Sequence, residues 1–93
     1  MRFDKNVVLI NCNDSKLNDK VLQANITQMG LDQTIQLFGD AKKRPYVVRL
    51  PFASDVRTGY IKSPDLPFNL QISQAMKFNS ATALIGVEYH GRL

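Results

Sequence analysis

Phe68-Asn69-Leu70-Gln71-Ile72-Ser73-Gln74-Ala75-Met76-Lys77-Phe78 is the stretch that decides the fold class. Its large apolar side chains recur at every second position, and only Gln74 breaks the series. In an extended chain successive side chains point to opposite faces, so this spacing gathers Phe68, Leu70, Ile72, Met76 and Phe78 on one side of a strand. On a helix the same five would scatter around the circumference. The expected strand runs over 68–78 with all five turned toward a core.

The neighbouring segments read the same way. Ala83, Ile85, Val87 and Tyr89 alternate with Thr82, Leu84, Gly86, Glu88 and His90, and Asn79-Ser80 supplies turn residues between the two runs. Residues 68–90 therefore read as a β-hairpin. Val7-Val8-Leu9-Ile10 is a continuous apolar run, too short for a typical helix, and suits a strand buried on both faces. Residues 45–50 give another strand, opened by Pro45 and closed by Pro51, neither of which can donate to a ladder. Ile35 and Leu37 mark a short strand at 33–38 ahead of a Gly39-Asp40 turn, and Tyr60–Lys62 marks one inside the otherwise irregular stretch 51–67.

Residues 16–29 admit two readings. Leu22, Ala24 and Ile26 alternate with Gln23, Asn25 and Thr27, which favours a strand. As a helix, Leu17, Val21 and Ala24 would oppose Leu22, Ile26 and Met29, a poor amphipathic stripe, although Ser15 could cap its start and Gly30 its end. The fold class that follows is mainly β: a small antiparallel sandwich or barrel of six to seven short strands, with one helix at 16–29 as the alternative. The length of 93 residues fits a single β-rich domain, 1–93, with a thin core and at least two sheet edges unless the barrel closes.

Composition narrows the chemistry. A hydrophobic share of 44% against 22% charged is that of a folded chain. The lone Cys12 cannot form an internal disulfide, which favours a reducing setting, cytoplasmic or inside a virion. No secretory leader pattern and no 18-residue apolar run is present, so no membrane span is expected. One histidine and one cysteine are too few for a zinc site. The aspartates Asp4, Asp14, Asp19, Asp32, Asp40, Asp55 and Asp65 are dispersed, mostly at turns. Cys12 follows a buried run and should be inert, and Glu88 shares a strand face with His90 without a nucleophile beside it. With no glycine-rich phosphate loop or nucleophile elbow, no enzyme, metal, cofactor or small-molecule substrate is expected.

Charge is concentrated. Residues 41–62 hold six cations against Asp55 alone, a net of +5, and the rest of the chain nets −1. Lys42, Lys43, Arg44, Arg49, Arg57 and Lys62 are interleaved with Tyr46, Phe52 and Tyr60. Cations that track phosphates beside rings that stack on bases are the ingredients of a single-stranded nucleic-acid site. The candidate set is Lys42, Lys43, Arg44, Arg49, Arg57, Tyr60 and Lys62. Tyr46 and Phe52 also read as core residues, Lys42-Lys43-Arg44 as a solvated loop tip, and edge cations as guards against sheet-to-sheet pairing.

Asparagine and glutamine together make 13 of the 93 residues, and several fall on polar strand faces. Asn69, Gln71 and Ser73 could meet another subunit without burying a charge, which makes them candidate subunit contacts. These features point to a non-enzymatic structural or assembly subunit, of the kind that builds a viral or phage particle. It would self-associate or contact other protein subunits, with the segment 41–62 facing nucleic acid or an acidic partner. Two other classes fit the same residues: a free single-stranded nucleic-acid-binding protein, and a small inhibitor docking on a larger protein by an edge strand.

Overall fold

The computed structural model describes residues 2–28 and 45–91, and these form six strands and no helix. The strands are β1 (Lys5–Ile10), β2 (Val21–Gln28), β3 (Tyr46–Leu50), β4 (Tyr60–Lys62), β5 (Asn69–Lys77) and β6 (Thr82–Tyr89). They close into an antiparallel barrel in the order β1-β2-β3-β6-β5-β4, with β4 pairing back onto β1 through Leu9 opposite Ile61. The expected strand at 33–38 and its turn lie outside the described residues.

Alternation decides which side chains fill the barrel. Val7 and Leu9, Ala24, Val48 and Leu50, Ile61, Leu70 and Ile72, and Leu84 point inward and are buried. Leu22 and Ile26 pack against them, so β2 places its apolar set inside as a strand, and the helix alternative at 16–29 falls away. Burial of the 7–10 run is one-sided: Val8 and Ile10 face outward and are only half-buried, because a barrel strand has one interior face. On β6 the inward set is Thr82, Leu84 and Gly86. A β-carbon on Gly86 would lie 2.9 Å from that of Leu70, so this glycine makes room for a leucine in a narrow interior.

The decisive stretch departs from strict alternation at one point. Ile72 opposes Gly86 and Gln74 opposes Ile85, which leaves Ser73 as the extra residue of a β-bulge. The bulge exchanges the two faces beyond it. Ala75 packs on the core, whereas Met76 and Phe78 are 47% and 55% exposed. The expectation that all five apolar residues face inward is thus corrected for these two. Unbroken alternation would have put the amide of Gln74 into an apolar core, and the bulge avoids that desolvation. The hairpin itself is as expected, with the Phe78 N–H donating to the Ala81 carbonyl at 2.8 Å across Asn79-Ser80.

In this strand order β3 and β4 lie on opposite sides of the barrel, so residues 51–59 must cross its end. They do so as a plug: Val56 and Ser54 are buried, and Phe52 packs on the core. The buried Thr82 hydroxyl accepts from the Ser54 N–H and donates to the Phe52 carbonyl, each at 2.8 Å. From β1's end, Asn13 accepts the Arg57 and Thr58 N–H groups at 2.7 and 3.2 Å and donates to the Asp55 carbonyl at 2.9 Å. Gly59 closes the plug at φ 126°, where a β-carbon would stand 2.7 Å from the Cys12 α-carbon.

Two sets of substitutions test this arrangement by denaturant unfolding. Leu70→Ala or Ile72→Ala should cost on the order of 2–5 kcal/mol, and Met76→Ala only about 0.5 kcal/mol. Equal losses at Ile72 and Met76 would contradict the bulge. Thr82→Val keeps the side-chain shape but orphans a buried N–H and a carbonyl, so it should cost on the order of 1–3 kcal/mol.

Candidate binding surfaces

The outward residues of β1, of β4, of β5 before its bulge and of the last part of β6 form one continuous surface. Register places Val8 beside Lys62 and Ile10 beside Tyr60, then Tyr60 beside Gln71, Gln71 beside Val87 and Asn69 beside Tyr89. Asn6 completes the β1 row. Of these nine side chains only Lys62 is charged. Val21, opposite Val8, extends the apolar part and is 69% exposed. A shallow groove of about 430 Å³ runs over Val8 and Ile10 between Asp19 and Lys62.

The rings of Tyr60 and Tyr89 pack at 4.6 Å between centroids, tilted by 45°. Gly91 lies against the Tyr89 hydroxyl with no room for a β-carbon. This crowding pushes the Tyr89 phenol above its ordinary value of 10.0, first by desolvation and then through the neighbouring Tyr60 phenol.

The basic segment does not form a single patch. Lys62 and Tyr60 share the outer face of β4. Arg57 is exposed on the plug at the barrel mouth. Arg49 lies on the outer face of β3, across the barrel, where it donates to the Thr27 hydroxyl at 3.1 Å beside Phe3 and Phe78. Lys42, Lys43 and Arg44 lie outside the described residues. Tyr46 and Phe52 pack on the core, and Tyr46 meets Phe68 edge-on at 5.6 Å. Among the candidate contacts, Asn69 and Gln71 sit on the charge-poor face, and Ser73 is exposed at the bulge.

At the mouth, a cleft of about 310 Å³ is lined by Ser54, Asp55, Val56, Arg57, Ala75 and Lys77. Lys77 reaches the Asp55 carboxylate at 2.9 Å, and this hydrogen-bonded cation holds Asp55 below the usual carboxylate range. Cys12 is buried beneath the same end and its thiol donates to the Asp14 carbonyl at 3.0 Å. Burial raises its pKa, which keeps it a neutral thiol. At the far end His90 and Glu88 are in contact at 3.2 Å. Among the described residues no three His, Cys, Asp or Glu side chains gather as a metal site would need.

Sequence reading missed Val8, Ile10, Val87 and Tyr89 as surface residues. Val87 and Tyr89 lie in an alternating run, but Val8 and Ile10 lie in a continuous apolar one that gives no sign of an outer face, and the β1–β4 and β5–β6 neighbours that make the four one surface come from barrel closure. No protein-family model matches the chain, and neither a curated protein nor a solved structure matches it.

The tyrosine pair has a measurable consequence. The folded state holds the Tyr89 proton more tightly than the unfolded chain, whose phenol ionises near its ordinary value. That stabilisation is fully present below pH 10.0 and is lost as pH rises from there through the raised folded value. A pH titration of the ring signals by nuclear magnetic resonance should place Tyr89 above 10.0, and Tyr60→Phe should bring it down.

Proposed function

We propose that this protein is a non-enzymatic structural or assembly subunit that associates with further copies of itself through the outer face of β1, β4, β5 and β6. The observation that carries the reading is one charged side chain among the nine of that face. Depletion of charge and enrichment of tyrosine mark the centres of protein interfaces. Asn69 and Gln71 can exchange water for partner hydrogen bonds at far lower cost than a lysine or glutamate. Val8, Ile10 and Val21 offer apolar area that a monomer leaves wet. Lys62 then lies at the rim, and the cations of the mouth remain open toward nucleic acid or an acidic partner. A repeating particle, a viral one included, is the setting such a subunit suits.

A second reading rests on Tyr60 and Lys62, which share one strand face as a ring and a cation would in a single-stranded nucleic-acid site. Arg49 on the far side of the barrel cannot join the same strand path, so few of the cations among the described residues would contact phosphate, and their share of the salt dependence would be shallow.

Light scattering separates the two. The protein alone, at micromolar concentration, should exceed the mass of one chain. Gln71→Lys and Ser73→Glu, made separately, should each weaken association about tenfold or more while the fold persists, since each brings an unpaired charge into or beside the contact. A monomeric mass at high concentration, with association appearing only on addition of an oligonucleotide and lost in Tyr60→Ala, would replace the first reading with the second.

A further inference from the structure

β5 is longer than its partner on one side. β4 pairs only with Leu70 and Gln71, and the last link on that side is the Ile72 N–H donating to the Gly59 carbonyl at 2.9 Å. From Ser73 to Lys77, β5 is bonded to β6 alone. Main-chain groups of successive strand residues point to alternate sides. The Phe78 N–H points to β6, where Ala81 accepts it, so the groups of Met76 and Gln74 do the same. Those of Ala75 and Lys77 then face away from β6, and both residues line the cleft at the mouth.

The opposite wall of that cleft is the plug, and the plug does not supply the missing strand. Its main chain is bonded to Asn13, Thr82 and Ser54 instead. Among the described residues no hydrogen bond reaches the Ala75 or Lys77 main chain from this side. The cleft is also cationic. Arg57 has no ion pair among the described residues, and Lys77 shares its charge with Asp55, so the net is +1. Both members of the Lys77–Asp55 pair are exposed, at 53% and 74%, so an incoming carboxylate can compete for the lysine.

We propose that this cleft binds an extended acidic peptide segment of a partner protein by strand addition. The partner's main chain pairs with Ala75 and Lys77, and its carboxylates meet Arg57 and Lys77. Unpaired strand edges recruit added strands, main-chain bonds giving affinity and flanking side chains selecting the sequence. The proposal takes the acidic-partner half of the function above and gives it a site at the barrel end, away from the face assigned to association between copies.

The test uses the whole chain and a capped hexapeptide of alternating glutamate and valine, followed by nuclear magnetic resonance and fluorescence anisotropy. Saturable shifts should centre on residues 54–57 and 73–77. The same peptide with its alternate main-chain nitrogens methylated should lose binding at least tenfold, because the added ladder cannot form. Arg57→Gln should weaken binding about threefold. Asp55→Asn, which frees Lys77, should strengthen it by a similar factor. Equal binding of the methylated peptide, equal binding of a lysine–valine peptide, or shifts confined to Tyr60 and Tyr89 would each overturn the proposal. So would concentration-dependent pairing of β5 with another copy that excludes the peptide, or a short oligothymidylate that takes the cleft in the peptide's place. Sedimentation of the protein without peptide reports the copy-to-copy contact separately, so either idea can fail alone.

Discussion

The Thr82 hydroxyl, donating to the Phe52 carbonyl of the plug and accepting from its Ser54 N–H, is the interaction on which the rest of the molecule depends. Because β3 and β4 stand on opposite sides of the barrel, the chain between them has to cross an open apolar end. A segment crossing there buries main-chain groups that water can no longer satisfy. Thr82 and Ser54 answer for the buried ones, and Asn13 answers for those at the rim. With the plug held, Val56 and Phe52 complete the core from above. Gly59 then delivers β4 against Cys12 and β1, which closes the barrel.

Closure redistributes the surfaces available for recognition. A small open sheet would expose two full edges; here every strand has neighbours on both sides, and only parts of strands are left unpaired on one side, among them the Ser73–Lys77 length of β5 beside the plug. Recognition by faces then takes precedence over recognition by edges. The β1-β4-β5-β6 face is poor in charge and bears the tyrosine pair, whereas the mouth carries Arg57 and the Lys77–Asp55 pair. The proposed functions follow this division: copies meet on the neutral face, and an acidic strand meets the cationic seam.

Much of the fold was legible in the chain. The alternation at 22–26 and in the first half of 68–78 reflects a one-sided burial that any sheet imposes, so it survives without knowledge of strand order; at 81–90 the strand was legible but its burial is two-sided, since Ala83 and Ile85 on the outer face are buried as Leu84 is on the inner one. What was not legible is what depends on a partner strand. The bulge at Ser73 answers to the register of β6, and its sequence trace was Gln74, the one polar residue at an inward position. The plug reads as an irregular stretch because its order comes from side chains of Asn13 and Thr82, distant in sequence. The basic segment is contiguous in the chain but divided in space, since β3 and β4 carry its members to opposite walls. Asn69 and Gln71 were recognisable as uncharged surface; their neighbours Tyr89, Ile10 and Val8 became visible only with the barrel closed.

The central claim is that the neutral outer face joins copies of the chain. An isotope-filtered nuclear Overhauser measurement on a mixture of labelled and unlabelled protein tests it most directly. The account predicts contacts between chains from the Tyr60 and Tyr89 rings to methyl groups on the same face, Val8, Ile10, Val21 and Val87 among them. Contacts between chains that instead join Met76, Phe78 or the barrel mouth, or their complete absence at millimolar concentration, would contradict it.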